Sequence, residues 1–263
     1  MAANEVVKLR EEVLRVAEAA MRAEHYDEMV EAMEKIANTA VVGELTAKES
    51  NMLFQAFMYA IGSREACIRV ISLIERKAWE SGRKDHQHVM ARYKERIRSE
   101  THALSERIIM LLDEYLIPNA RNAESRVLYL KMKGDYHWRL ADTEKKMPER
   151  GRQMELVLQA YKSAQVIAFQ KLPPSNAIRL QLALNFSVFY HDMMGSFNTA
   201  CSTAKEAIEA AKTDVGKQVK GNYPESKVSL DLLVRNYTCW MEMMHFELAK
   251  GRQSVPLSPI IRK

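Results

Sequence analysis

The side chains of this chain that could do chemistry are few and scattered. His86-Gln87-His88 sets two imidazoles side by side in a short polar stretch, the start of a metal pair. It has no cysteine partner, and a structural zinc site needs four converging ligands. Cys67, Cys201 and Cys239 stand at no metal spacing, and an odd set of thiols fits a reducing, intracellular setting. No metal and no cofactor is expected. Lys131 and Asp135, like Glu65 and Arg69, lie four residues apart; on a helix that spacing makes ion pairs worth about 0.2–0.5 kcal/mol, not a general acid and base. No glycine-rich phosphate loop and no Ser/His/Asp motif occurs, so no enzymatic activity is expected. The most basic run, Arg92-Tyr93-Lys94-Glu95-Arg96-Ile97-Arg98, is expected to be an ion-paired surface rather than a nucleic-acid patch.

The elements that must position any site follow from composition and punctuation. The 263 residues carry 39 Lys and Arg against 34 Asp and Glu, a net charge of +5 that interspersed acids dilute. Nine glycines and seven prolines are about 6% of the chain, half the usual share of about 12%, which argues against an all-β protein and against disorder. No apolar run reaches the length of about 18 residues that a membrane span needs, and the first twenty residues mix acids and bases where a signal peptide has an apolar core. A cytoplasmic protein is expected, with the nucleus as the alternative compartment. Sixteen methionines spread along the chain read as adaptable core packing.

Between the breakers, apolar residues recur at helical spacing. Thr46 followed by Glu49 is a capping box; Ser81-Gly82, Ile117-Pro118-Asn119, Pro148, Pro173-Pro174-Ser175, Gly195-Ser196 and Gly221-Asn222-Tyr223-Pro224 mark the other boundaries. They predict helices over 4–23, 26–38, 46–79, 83–115, 121–145, 149–170, 176–193, 197–214 and 224–249. Leu230, Leu233, Tyr237, Trp240 and Met244 show the period in the last of them. The fold class is all-α, its short links implying antiparallel neighbours. No linker divides the chain, so one helical domain is expected over 1–250, followed by a basic tail over 251–263.

Two stretches are distinctive. One runs Leu116-Ile117-Pro118-Asn119-Ala120, through Ala123-Glu124-Ser125-Arg126-Val127, to Tyr129-Leu130-Lys131-Met132-Lys133-Gly134-Asp135-Tyr136; the other is Leu182-Ala183-Leu184-Asn185-Phe186-Ser187-Val188-Phe189-Tyr190. With His25-Tyr26-Asp27-Glu28-Met29 and Arg235-Asn236-Tyr237-Thr238-Cys239-Trp240, they closely resemble the 14-3-3 family of dimeric phosphoserine- and phosphothreonine-binding adaptors. The similarity covers about residues 5–245. It implies nine antiparallel helices forming a cup, dimerised through its four N-terminal helices, with an amphipathic groove that holds an extended phosphopeptide. A phosphate brings about −1.5 to −2 charges, and converging Arg and Lys side chains grip its oxygens.

By that resemblance Arg69 and Lys131 occupy basic positions of the ligand site, Asn185 and Asn236 match the asparagines that clamp the ligand backbone, and Leu184, Val188, Leu232 and Trp240 fall on the apolar wall. Asp192 stands where the family has a glutamate. The departures are at the phosphate. Met58 replaces a lysine, Glu65 an arginine, and Trp138-Arg139 the family's Arg-Tyr pair. A carboxylate in place of a guanidinium changes the local charge by two units and turns attraction into repulsion. Three readings stand open: phosphate binding is lost; the site is rebuilt from Arg69, Lys131 and Arg139 with Arg64 turned in; or Glu65 plugs the basic cluster as an internal carboxylate, paired with Arg69.

The resemblance also implies a dimer face. Glu28 and Arg96 match an intersubunit ion pair, Tyr93 a packing tyrosine, and Ala19 and Ala23 small residues; His25 replaces an arginine opposite Glu100, and Cys67 a regulatory serine. The tail carries Ser254, with a basic residue two before and proline two after, and Ser258-Pro259. Both are candidate phosphosites, and the tail is long enough to act as an autoligand. The sequence thus points to a signal-transduction adaptor binding phosphorylated or unphosphorylated protein segments, with weakened or altered phosphate dependence. The alternative is a self-regulated or structural dimer, autoinhibited by its own tail or closed by Glu65. Neither membrane nor nucleic-acid partners are expected.

Overall fold

The computed structural model describes residues 3–82, 84–215 and 224–249. Ser254, Ser258 and the whole 251–263 segment lie outside the described residues. Nine helices have twelve residues or more among the described residues: α1 (Ala3–Arg22), α2 (Tyr26–Ala37), α3 (Ala47–Glu80), α4 (Lys84–Leu111), α5 (Ala123–Thr143), α6 (Met147–Lys171), α7 (Ala177–Asp192), α8 (Phe197–Val215) and α9 (Pro224–Ala249). The protein is all-α, and no strand occurs among the described residues.

One boundary differs from expectation. The chain does not break at Pro118: after α4 it continues through a π turn, Leu112–Leu116, and a short helical turn, Ile117–Asn119. Proline lacks an N–H and its ring crowds the carbonyl four residues back, and the π turn just before it is where the hydrogen-bond ladder changes register. Residues 86–88 lie in the opening turns of α4, inside the helix predicted over 83–115.

The chain divides into two compact units, Met1–Arg121 with Arg139–Gln153, and Asn122–Trp138 with Met154–Lys263. Where the sequence suggests one domain over 1–250, two of the three cuts fall inside α5 and α6 and the third in the short connection just before α5.

In the first unit α1 packs on α2, α2 on α3 and α3 on α4, around Met29, Met33, Ile36, Leu53, Phe57, Ile61 and Ile108. The Thr46 capping box forms as the sequence predicts: the Thr46 hydroxyl accepts from the Glu49 N–H at 3.2 Å, and the Glu49 carboxylate accepts from the Thr46 N–H at 2.7 Å. Buried Arg10 of α1 fastens the α2–α3 connection. It donates to the Thr39 hydroxyl at 2.6 Å and to the carbonyls of Thr39, Gly43 and Glu44, and its guanidinium lies 3.6 Å from Glu49. A buried guanidinium is tolerable only when its donors are met in this way.

In the second unit α7 packs on α8, and α9 on both. Its core gathers Trp138, Tyr161, Phe186, Phe189, Ile208, Leu233 and Trp240. Asn176 caps α7, accepting from the Ile178 and Arg179 N–H groups at 3.0 and 3.2 Å. This cap fixes the helix that carries Leu184, Asn185 and Val188.

Candidate functional site

In the first unit, α3 carries Met58, Arg64, Glu65 and Arg69, and the end of α5 contributes Arg139. Arg139 donates from Nη1 to Glu65 Oε1. Both side chains are about two-fifths exposed, at 38% and 40%, so each is within reach of a ligand as well as of the other. Arg69 is exposed and makes no ion pair among the described residues. The expected Glu65–Arg69 pair is therefore replaced by Glu65–Arg139: the acid takes the guanidinium of another helix, and the helical i, i+4 pair it forgoes is a weak one.

Arg64 is not turned toward this group. Its Nε donates to Glu100 at 3.1 Å, its Nη2 to Asp27 at 3.0 Å and its Nη1 to the Ala60 carbonyl at 3.0 Å. Burial works against its charge, but the Asp27 and Glu100 carboxylates outweigh that and push its pKa further up. A guanidinium held this way does not replace a missing phosphate ligand, so the structure corrects the expectation of a site rebuilt with Arg64. Met58 is half-buried and supplies no charge.

In the second unit, three donors converge on one carboxylate. Lys131 Nζ lies 2.7 Å from Asp135 Oδ2, while the Tyr161 hydroxyl and Asn185 Nδ2 donate to Oδ1 at 2.5 and 2.8 Å. Lys131 is buried, its side chain 7% exposed. Gly134 makes the arrangement possible: a Cβ there would lie 2.4 Å from Cε1 of Tyr161, so only a residue without one lets the ring lie against α5. Lys131 and Asn185 were expected from the sequence; Asp135 as their common acceptor was not, and neither was Tyr161. The available signal was Gly134 itself, a glycine inside a helix, where it costs about 1 kcal/mol relative to alanine.

The remaining expected ligand residues of this unit divide by exposure. Leu184 and Leu232 are half-buried. Asn236 is buried, and its side chain makes no hydrogen bond among the described residues. Val188 is buried at 6% exposure, and Trp240 is wholly buried, its ring stacked on His191 with centroids 4.9 Å apart. Trp240 thus supports the wall from within and offers no ring surface. His191 Nδ1 lies 2.9 Å from Asp192 Oδ1, so Asp192 is tied to the same stack. Trp138 is likewise core, meeting Phe189 edge-on at 5.5 Å. An indole in this place fills volume and contributes no charge.

Comparison with known proteins decides the family. The model of the 14-3-3 protein family matches residues 16–241. The chain belongs to the 14-3-3 family. It is 46% identical over 231 residues to "14-3-3-like protein A" of Hordeum vulgare, covering 88% of each chain. To "14-3-3-like protein GF14 nu" of Arabidopsis thaliana it is 45% identical over 88% of this chain and 87% of the relative. To "14-3-3 protein 4" of Solanum lycopersicum it is 44% identical over 88% of each. As a 14-3-3 protein the chain is a non-enzymatic adaptor that binds partner proteins. Among the described residues no helix is long and apolar enough to cross a membrane, and no group of three or more His, Cys, Asp or Glu side chains is placed to hold a metal ion.

The residues matched to the 14-3-3 dimer face lie in the first unit. Ala19, Ala23, His25, Glu28, Tyr93 and Arg96 are exposed. Within the chain His25 Nδ1 faces Glu28 at 3.2 Å, and Glu100 is held by Arg64 at 3.1 Å and Arg96 at 3.7 Å. Glu100, expected opposite His25, is thus already engaged by two guanidinium groups of its own chain. Arg96 also lies over the Tyr93 ring, 4.9 Å from its centroid. Cys67 is half-buried on α3.

Proposed function

We propose that this adaptor holds extended segments of partner proteins with weakened selectivity for phosphoserine and phosphothreonine. The observation that carries the proposal is the Glu65–Arg139 ion pair. Of the first-unit residues aligned with the phosphate ligands, Met58 is neutral, and Glu65 and Arg139 cancel one another. Arg69 keeps the only uncompensated charge of that set among the described residues. A phosphate of about −2 charge entering there meets the Glu65 carboxylate as well. To recruit Arg139 it must first displace a charge-assisted hydrogen bond.

Lys131, Asn185 and Asn236, with Leu184 and Leu232, supply the backbone and apolar contacts. They do not depend on phosphate, so the affinity lost at the charged group is not lost elsewhere. The same pair supports a second reading, in which Glu65 acts as a built-in carboxylate ligand and keeps Arg139 occupied until a partner displaces it. Glu65→Gln separates the two. If Glu65 is an internal competitor, the variant binds a phosphoserine peptide and its unphosphorylated twin both more tightly. If it acts as a charge filter, the phosphopeptide alone gains. No change for either peptide rejects both.

We also infer a homodimer through Ala19, Ala23, Glu28, Tyr93 and Arg96. What supports it is that all five of these side chains are exposed in the same unit, Tyr93 at 38%. Light scattering on a size-exclusion column gives twice the chain mass if this is correct and the single-chain mass if it is not.

A further inference from the structure

In the second unit, residues of α6, α7 and α8 border a cavity of about 240 Å³. Ala168, Phe169, Leu180, Ala183, Ala207 and Ala210 give it an apolar wall, and an apolar cavity of about 150 Å³ is already enough to hold benzene. None of the residues expected to hold a partner segment lines it. Two charged residues do. Arg179 is half-buried, its guanidinium 4.7 Å from the centroid of the Phe169 ring. Its Nη1 is spent on the end of α6, donating to the carbonyls of Leu172 at 2.7 Å and Ala168 at 3.5 Å. Its Nε and Nη2 make no hydrogen bond among the described residues, and no carboxylate there pairs with the group. Burial draws its pKa below the ordinary guanidinium value, and Asp214 offsets this only in part. The Asp214 carboxylate accepts instead from the Ser175 N–H and hydroxyl, at 3.1 and 2.5 Å. Glu206, exposed on α8, lines the same cavity and makes no ion pair among the described residues; the adjacent Lys205 faces Glu209 at 3.8 Å. Gln165 and Thr203, the other polar side chains of the lining, are neutral.

A guanidinium and a carboxylate that line one small cavity without reaching each other are both left for a ligand. We propose that this cavity binds a small zwitterion with an apolar body, the class of the apolar α-amino acids: Arg179 takes the carboxylate, Glu206 the ammonium group, and the alanine-rich wall the side chain. Charge decides between ligand classes. A monocarboxylate of the same shape meets Arg179 but is repelled by Glu206, and an amine meets the reverse; only a ligand carrying both charges satisfies both. The first turn of α7 favours the same orientation. The N-terminal end of a helix is positive and draws an anion, so it adds to the pull of Arg179 on a carboxylate. An arginine present only to cap α6 needs neither Glu206 nor the cavity beside it. The site stands apart from the residues proposed to hold partner segments, and its test does not depend on that reading.

Titration of the ¹⁵N-labelled full chain tests this with probes that differ only in charge: L-phenylalanine, 3-phenylpropionate, which lacks the ammonium group, and 2-phenylethylamine, which lacks the carboxylate. Phenylalanine should shift the backbone amide signals of Ala183, Thr203 and Ala207, and each single-charge analogue should bind about tenfold more weakly or worse, as the loss of one charge-assisted hydrogen bond requires. Glu206→Gln changes an exposed side chain and should bring phenylalanine down to the affinity of 3-phenylpropionate. Arg179→Gln keeps a donor for the Leu172 carbonyl and should bring it down to that of 2-phenylethylamine. Ala207→Leu fills the cavity without touching either charge and should abolish the shifts of all three. If none of the probes moves these signals at millimolar concentration, the site is overturned. If 3-phenylpropionate binds as tightly as phenylalanine, or Glu206→Gln leaves phenylalanine binding unchanged, the pairing of the two charges on one ligand is overturned.

Discussion

Arg139 on α5 donates to Glu65 on α3, joining two residues 74 positions apart in the chain. In a 14-3-3 protein both positions are expected to face a partner's phosphate. The acid and the arginine that the resemblance sets in place of an arginine and a tyrosine pair with one another. Two positions that look independent in the sequence are one ion pair in the fold. On the reading proposed above, they stay polar and reachable but their charge is spent.

Arg10 supports the frame that holds α3. Its five polar contacts to Thr39, Gly43, Glu44 and Glu49 are nearly closed to water. Arg10→Met strands buried carbonyls and the Glu49 carboxylate, so stability should fall by about 3 kcal/mol or more. Urea unfolding should show an earlier midpoint at unchanged slope. A loss below about 1 kcal/mol would show that the connection does not depend on it.

Gly134 and Gly151 make opposite predictions for the same change. Gly134→Ala drives a Cβ into the Tyr161 ring and should cost about 1–3 kcal/mol, the usual range for overpacking. Gly151 lies exposed within α6, and a Cβ added there would meet nothing within 4 Å, so Gly151→Ala should stabilise by about 0.5–1 kcal/mol. Paired thermal melts check both signs.

Glu24 ends α1 in the left-handed region, with φ 59°. The His25 N–H donates to the Ala20 carbonyl at 2.9 Å and the Glu24 N–H to the Met21 carbonyl at 3.2 Å, the paired bonds of a Schellman stop that ordinarily uses glycine. Glu24→Gly should raise stability by about 0.5–1 kcal/mol, since the relief of a left-handed side chain exceeds the added chain entropy. A lower melting temperature would contradict this.

The three thiols should react in order of access. Cys239 is exposed, Cys67 half-buried and Cys201 buried, and burial pushes the Cys201 thiol above its ordinary pKa. Alkylation of the native protein near pH 8.5 should therefore modify Cys239 first and Cys201 last, and urea should erase the difference. The linkage runs the same way. The folded thiol keeps its proton after the unfolded one has lost it, so this group's contribution is intact below the unfolded thiol's pKa and stability declines as pH rises past it. Early labelling of Cys201 would place it at the surface.

Local features of this fold were legible in the sequence and long-range ones were not. Thr46 and Glu49 declared their capping box because its partners are three residues apart, and Lys131 and Asp135 are paired as their helical spacing suggests. Glu65 misled for the same reason: its nearest helical partner is Arg69, while its actual partner comes from another helix. Arg64, a candidate substitute ligand, is drawn to Asp27 and Glu100, carboxylates on α2 and α4 that no spacing rule connects to it. Trp240 looked like wall and is core, since an apolar residue on a helix announces burial without saying against what. Asp135 was visible only as half of a pair. Its contacts with Tyr161 and Asn185 span 26 and 50 residues.

The most direct test of the account compares two dissociation constants on one protein. A labelled phosphoserine peptide and its unphosphorylated twin are titrated against the wild type and against Glu65→Arg. The wild type should bind the two within about threefold of each other, and the variant should favour the phosphopeptide by about tenfold or more, a difference of about 1.4 kcal/mol. A wild type that already prefers the phosphopeptide by that margin would mean that Glu65 and Arg139 part readily for phosphate, and that their pairing does not govern what this protein binds.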